Sequence, residues 1–195
     1  TFHPLDRFKT CLGVNRDHLR WHDGQTGEAR KRVVYPHWSA WHSASKRWCK
    51  LSDHCTEAEL NEPLQLLSDF QLLCSTNLQV DRANAEGVAI LTDPTHKRTA
   101  ASVSALPHGC PIIIQTNTHT LGLTNGDVGV AMGPAPGSAA TLALFSSPGG
   151  APRLIPLPQL PMHRPAFGLT IHKSQGSEWG RIAIELPSKS ESAVL

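Results

Sequence analysis

Asp69-Phe70-Gln71-Leu72-Leu73-Cys74-Ser75 is a compact apolar run with polar residues at both ends, the pattern of a strand buried in a parallel sheet. Directly after it, Thr76 or Asn77 offers an N-cap to a helix carrying Leu78, Ala83, Gly87 and Ile90 on one side. Strand then helix is half of a βαβ unit, so the fold class is α/β. Asp93-Pro94 stops that helix, and Thr99-Ala100-Ala101-Ser102 reads as a linker.

Upstream of this unit, residues 1–60 hold ten of the 18 Lys and Arg residues and four of the five Trp, so the chain changes character near residue 56. Trp38, Trp41, Ser45 and Trp48 follow three-and-four spacing, which places them on one helical stripe. Core packing accounts for such a stripe more readily than a base-stacking surface. Thr56 followed by Glu59 is a capping-box pattern. The helix that starts there is expected to be short or kinked at Pro63, with Leu60, Leu64 and Leu67 facing inward.

Downstream the period becomes that of short strands. Pro111–Gln115, Val128–Met132, Thr141–Phe145 and Arg153–Ile155 are separated by Gly-, Pro- and Asn-rich turns, which predicts a small β-barrel of SH3-like type. Asn125-Gly126 is expected to supply positive backbone angles for a tight turn. Phe167–Ile171 and Arg181–Leu186 then return to the sheet begun by Phe70.

The composition excludes several classes. Among 195 residues, 18 basic and 16 acidic side chains leave a net charge of +2, so any nucleic-acid contact must come from local geometry and not from a polybasic surface. No apolar run is long enough to span a membrane, and Thr1-Phe2-His3-Pro4 lacks a signal-peptide layout, so a cytoplasmic location is expected. Both ends read as cut: Thr1 is not an initiator Met, and residues 190–195 follow directly on a strand. Five cysteines at irregular spacing suit reduced thiols. Cys49, His54 and Cys55, with His37 and His42 nearby, contain no C-x-x-C pair, and no metal site is expected. No Gly-x-Ser-x-Gly elbow and no Walker A motif occurs.

The chemistry concentrates in His172-Lys173-Ser174-Gln175-Gly176-Ser177-Glu178-Trp179. Lys173 can attract phosphate as a point charge, amides near Gly176 can donate to an anion, and Glu178 can accept from sugar hydroxyls. An ordinary polar surface loop has the same composition, and from these residues alone the two readings stay open.

Resemblance adds what spacing does not. Leu169-Thr170-Ile171-His172-Lys173-Ser174-Gln175-Gly176-Ser177-Glu178-Trp179 resembles the motif V signature of superfamily-one DNA helicases of the RecD type, typically T-V-H-K-S-Q-G-S-E-F. Leu121-Gly122-Leu123-Thr124-Asn125-Gly126-Asp127-Val128-Gly129-Val130 resembles that family's L-x-N-G-D-x-G element, and Phe70-Gln71-Leu72-Leu73-Cys74 resembles its strand F-Q-L-L-C. The family comprises the alpha subunit of exodeoxyribonuclease V, which acts in DNA recombination and repair, and stand-alone relatives.

The resemblance implies an ATP-dependent 5′-to-3′ DNA helicase using ATP and Mg²⁺, with single-stranded DNA and RecB-like and RecC-like subunits as partners. It implies a partial RecA-like second motor domain with an inserted SH3-like β-barrel. Residues 1–64 would form a Trp-rich helical linking region, 65–105 the first part of the RecA-like domain, 106–164 the insertion, and 165–195 the return carrying motif V. Gln175, Gly176 and Glu178 would bind ATP; Thr170, His172, Lys173, Asn117 and Asn125 would contact DNA, with Lys97 a further candidate.

Departures are visible. Thr116 precedes Asn117 where the family often has Arg, and the Walker A, Mg²⁺-binding and motif VI residues are not present, so these 195 residues alone are expected to be catalytically inactive. The alternative is a non-catalytic docking module whose SH3-like barrel binds protein partners.

Overall fold

The computed structural model describes residues 26–48, 55–92, 105–135, 138–147 and 149–186. Lys97, Cys49, His54, the 99–102 linker and both chain ends lie outside these residues.

Two helices, α1 (Thr26–Val33) and α2 (Tyr35–Ser45), lead to α3 (Glu57–Asp69) and strand β1 (Phe70–Cys74). Helix α4 (Asn77–Leu91) follows, then β2 (Cys110–Ile114), β3 (Val128–Met132), β4 (Leu142–Ser146), β5 (Pro152–Pro156) and β6 (His163–Pro165). The chain ends in β7 (Gly168–Thr170) and β8 (Arg181–Glu185). Strand β1 is central in a parallel sheet of order β7-β1-β8, with Leu73 beside both Leu169 and Ile184. Strands β2 to β6 form a separate antiparallel sheet of order β5-β4-β3-β2-β6. The α/β class and the return of the chain to the first sheet are therefore as expected. The five antiparallel strands make an open sheet, with no ladder joining β5 to β6 among the described residues, so a closed barrel is not established.

Local chemistry sets the helix starts. Thr56 accepts from the Glu59 amide while the Glu59 carboxylate accepts from the Thr56 amide, and Thr76 does the same with Gln79. Each box satisfies two otherwise orphaned N–H groups and is worth about 1 kcal/mol. Helix α3 nonetheless runs unbroken through Pro63 for 13 residues, against the expected short or kinked helix. Pro63 is itself buried, and Leu60, Leu64 and Leu67 pack on Val130, Met132 and Leu144 of the antiparallel sheet. That burial offsets the roughly 3 kcal/mol an internal proline costs.

The buried face of α4 includes the expected Ala83 and Gly87, with Ile90 packed against the core, but not Leu78. Leu78 is half exposed, and the buried positions are Gln79, Val80, Ala83, Asn84, Gly87 and Leu91. The capping box fixes the rotation, because Gln79 must reach back to Thr76, and Val80 then turns inward in place of Leu78. Small residues on this face let α4 lie close to the chain entering β7. A Cβ built on Gly87 would stand 2.2 Å from the Phe167 ring, and the Asn84 side chain accepts from the Gly168 amide at 3.0 Å.

The Trp stripe is core. Trp38 and Trp48 are each 4% exposed, Trp38 meets Phe167 edge-on at 5.4 Å, and the Trp41 indole N–H donates to the Gly109 carbonyl at 2.7 Å. His108, beside Gly109, joins the same seam: its Nε2 lies 2.8 Å from the Ser45 carbonyl and its Nδ1 accepts from the Gly133 amide at 2.9 Å.

Candidate nucleotide and nucleic-acid site

In open α/β sheets, ligands bind outside the carboxyl ends of the strands, where neighbouring connections leave toward opposite faces. Alternation along β1 gives that arrangement here. Leu72 and Cys74 share a cluster with Val80 and Ala83 of α4, whereas Leu73 shares one with Leu169, Ile171, Trp179 and Ile184. The β1–α4 connection thus lies on one face, and the residues that lead from β7 to β8 cover the other. The crevice between β1 and β7 at their carboxyl ends is the candidate site.

The segment 170–180 is pinned at both ends and open in the middle. Ile171 donates to the Cys74 carbonyl at 3.1 Å, extending the parallel ladder, and Gly180 donates to the Ser68 carbonyl at 2.9 Å. A short 3₁₀ turn, His172–Ser174, follows β7. The Lys173 amide donates to Thr170 Oγ1 at 3.3 Å, and Ser174 Oγ donates to the Ile171 carbonyl at 2.6 Å. Next comes a type II β-turn over Ser174–Ser177. Gln175 has φ −62° and ψ 129°, Gly176 has φ +83°, and Ser177 donates to the Ser174 carbonyl at 3.1 Å. Glycine is needed at 176 for its backbone angle and not for space, since a built Cβ would meet nothing within 4 Å.

Gln175, Gly176, Ser177 and Glu178 are exposed, and Trp179 is half-buried against the Leu73 face. The Gly176 amide, the Gln175 carboxamide and the Glu178 carboxylate form a mixed donor and acceptor set that fits the phosphates and hydroxyls of a nucleotide. No three His, Cys, Asp or Glu side chains gather around a common point among the described residues, so Glu178 would offer a metal one carboxylate at most. Of the Cys and His residues near Cys49, His37 stacks on Phe70 with ring centroids 4.0 Å apart.

Thr170 and Lys173 are thus brought together, with exposed His172 between them in sequence. Asn117 and Asn125 are brought together elsewhere, in the long loop between β2 and β3. There Asn117 Oδ1 accepts from the Asn125 amide at 2.7 Å. The turn they serve is not the expected one: among the described residues no non-glycine has positive φ, so only Gly126, at +106°, does. Asp127 takes over the work expected of Asn125, its carboxylate accepting from the Thr124 amide at 2.8 Å and from the Thr124 hydroxyl at 2.9 Å.

Three residues of consequence carry no signal in the sequence. Arg30, 5% exposed, donates to Glu185 through Nε and Nη2 at 3.0 and 2.8 Å and to Glu86 through Nη1 at 2.6 Å. Burial opposes its charge, but the bonds to Glu185 and Glu86 outweigh it and hold the guanidinium above its usual range. The bridge fastens α1 to the carboxyl end of β8. Nearby, burial first and the Glu185 charge second push the Cys74 thiol up to about 12, which removes it as a nucleophile. On β6, Arg164 has its Nε buried without a hydrogen-bond partner. Contacts of this kind join residues more than a hundred positions apart, which no local pattern reports.

A cavity of about 420 Å³ lies at the opposite edge of the sheet, lined among others by His37, Trp41, Arg47, Phe70 and Arg181. Phe70 and Arg181 begin β1 and β8, so this space faces the amino ends, where the switch-point rule does not place a ligand.

No protein-family model matches the chain. It is 37% identical over 81 residues to the RecBCD enzyme subunit RecD of Haemophilus influenzae, an alignment covering 42% of this chain and 11% of that protein. It is 26% identical over 187 residues to the RecBCD enzyme subunit RecD of Mycolicibacterium smegmatis, covering 94% of this chain and 30% of that one. The chain therefore spans at most about a third of the length of these two relatives. A crystal structure of Pif1 helicase from Bacteroides in complex with ADP-AlF3 and ssDNA aligns at 16% identity and a TM-score of 0.40, over 81% of this chain and 44% of that one. In sequence, the chain is thus similar to the RecD subunits of RecBCD enzymes.

Proposed function

We propose that this chain is part of the second, RecA-like motor domain of an ATP-dependent DNA helicase of the RecD type, moving 5′ to 3′ on single-stranded DNA. The antiparallel sheet is its SH3-like insertion. The observation that carries the reading is the placement of segment 170–180, which leaves the carboxyl edge of the parallel sheet at the switch point with its polar tip in solvent. Thr170, His172 and Lys173 take the DNA side, and Gln175, Gly176 and Glu178 take the nucleotide side. Asn117 and Asn125 belong to a second wall of the DNA path. ATP with Mg²⁺ supplies the phosphoryl-transfer chemistry when bound, and this chain's residues hold and orient. RecB-like and RecC-like subunits are the protein partners this reading names, because the curated relatives are subunits of RecBCD enzymes.

The coupling follows from differential contact. A short loop pinned at Ile171 and Gly180 cannot move its nucleotide side without moving its DNA side, so a change in one ligand's grip alters the other's affinity. The test compares Thr170→Ala and Glu178→Ala with the parent in the intact protein, by DNA-stimulated ATPase and by unwinding. Glu178→Ala is expected to lower ATP turnover, and Thr170→Ala to lower its stimulation by DNA; unchanged rates in both variants refute the assignment.

A further inference from the structure

We propose that the cavity at the amino edge of the parallel sheet is a second ligand site, built for a nucleoside phosphate. The switch point lies at the other edge. A ligand here is therefore separate from the nucleotide assigned to Gln175, Gly176 and Glu178, and it stands whether or not that assignment holds.

The cavity opens where α2 turns small side chains toward the sheet. His37, Ala40, Trp41 and Ala44 share one helix face at three- and four-residue spacing and line it from one side, with Phe70, Gln71 and Arg181 on the sheet side. Direct contacts hold these walls together. Phe70 is the register partner of Arg181, and His37 stacks on Phe70 with ring centroids 4.0 Å apart and planes 11° from parallel. Asp69 and Gly180, the residues just before β1 and β8, lie side by side: a Cβ built on Gly180 would stand 3.3 Å from the Asp69 carbonyl.

The volume of about 420 Å³ falls within the roughly 300–1,000 Å³ of small-molecule sites, which combine apolar and aromatic walls with a few placed polar groups. Gln71 is one such group. It is 4% exposed, and its Nε2 donates to the carbonyls of Leu72, Ala166 and Phe167 at 3.1, 3.3 and 3.3 Å. Those bonds fix the carboxamide and leave Oε1 with no hydrogen-bond partner among the described residues. Oε1 is not sealed from solvent, so a ligand in the cavity can reach this acceptor. Arg181 and Asp69 are exposed lining residues, and neither makes an ion pair among the described residues. Arg47, also exposed, is already held by Glu62 at 2.6 Å. Burial first and the Arg181 charge second depress the basicity of His37, so the stacked ring stays neutral near pH 7.

Each part of a nucleotide finds a counterpart here. The His37–Phe70 stack and Trp41 offer flat walls to a base, and Gln71 Oε1 accepts from a base N–H. Asp69 accepts from sugar hydroxyls, and the Arg181 fork binds phosphate oxygens. A purely apolar ligand would leave Gln71 Oε1 unserved and shut away from water. Free mononucleotides and the phosphorylated end of a DNA strand share this chemistry.

The test is equilibrium dialysis of the intact protein against labelled thymidine 5′-monophosphate, with thymidine and the N3-methyl monophosphate as ligands that each lack one contact. Saturable binding is expected, weakened about tenfold by Arg181→Gln through loss of one charge-assisted contact, and by a similar factor when the base N–H is methylated or the phosphate removed. Ala40→Trp, at an exposed lining position, fills the cavity from its rim and is expected to abolish binding, with thermal melts confirming that both variants fold. Displacement of the monophosphate by 5′-phosphorylated oligo(dT) but not by its 5′-hydroxyl counterpart would identify the strand end as the source, and displacement by neither a free nucleotide. Four results overturn the proposal: no saturable binding up to about 1 mM; binding unchanged in both Ala40→Trp and Arg181→Gln; equal displacement by both oligonucleotides, which would put the ligand on the DNA path; or binding that Glu178→Ala removes and Ala40→Trp does not, which would put it at the motif V loop.

Discussion

Replacing Gly87 by Ala sets two physical effects against each other. In a solvent-exposed helix the change stabilises by about 1 kcal/mol, because alanine restricts the unfolded chain and favours the helix. Here the added methyl carbon would stand 2.2, 2.4 and 2.6 Å from three atoms of the Phe167 ring, against 3.4 Å or more for ordinary contact. The ring must retreat by over an ångström, and Trp38 blocks it edge-on at 5.4 Å. Overpacking of this kind costs about 1–3 kcal/mol or more, so the sign reverses and a net loss of about 1–2 kcal/mol is expected. For a chain of this size that is a fall in Tm of roughly 2–8 °C. Urea denaturation of Gly87→Ala, Phe167→Leu and the double variant measures it. The smaller side chain at 167 should recover part of the loss, giving a coupling of about 1 kcal/mol. If Gly87→Ala is more stable than the parent, or the two changes simply add, α4 does not pack on Phe167 as described.

The Arg30 bridge predicts that Arg30→Met costs about 3 kcal/mol, because it strands Glu185, whose side chain is 9% exposed, while Glu86 at 35% stays partly solvated. Denaturant midpoints should show Arg30→Met with Glu185→Leu recovering most of that loss; no recovery refutes the buried-pair account. His108 predicts a pH dependence. Burial depresses its basicity in the folded state even though the Ser45 bond opposes this. As pH falls below the unfolded value of about 6.5, the unfolded chain takes up a proton that the folded one refuses, and stability is lost from there down to the depressed folded value. Tm should therefore fall between pH 7.5 and about 5.5 more steeply in the parent than in His108→Gln; equal slopes refute it. Gly176→Ala meets no atom but must adopt positive φ, so it should cost about 1 kcal/mol, read from denaturant midpoints, and Gly176→Asn less; a neutral alanine would rule out the type II turn.

What the sequence makes legible is local or contiguous. The Thr56 capping box follows from a hydroxyl and a carboxylate three residues apart, the box at Thr76 shows in the sequence only as an N-cap choice between Thr76 and Asn77, and the buried run 70–74 announces a parallel strand because both faces must be apolar. The Trp stripe reads as core because its spacing matches one helix face. Pro63 misleads because the backbone penalty is local while the burial that offsets it comes from β3 and β4, far along the chain. Leu78 misleads because hydrophobicity alone does not set the rotation of α4; the cap does. Asn125 misleads because Asp127, two residues on, takes over the bonds that close the turn. At the site, motif V is contiguous and therefore visible. Arg164 and the Arg30–Glu185 bridge become visible only when β6, α1 and β8 are brought beside the parallel sheet.

Crosslinking tests most directly whether one loop meets both ligands. A photoreactive residue placed at 172 or at 175 of the intact protein is irradiated with labelled single-stranded DNA and with labelled ATP. The account predicts DNA adducts at 172, nucleotide adducts at 175, and a change in each yield when the other ligand is added. Adducts for both ligands found only when the probe is moved to the cavity at the amino edge, at 37 or 47, with none at 172 or 175, would contradict it.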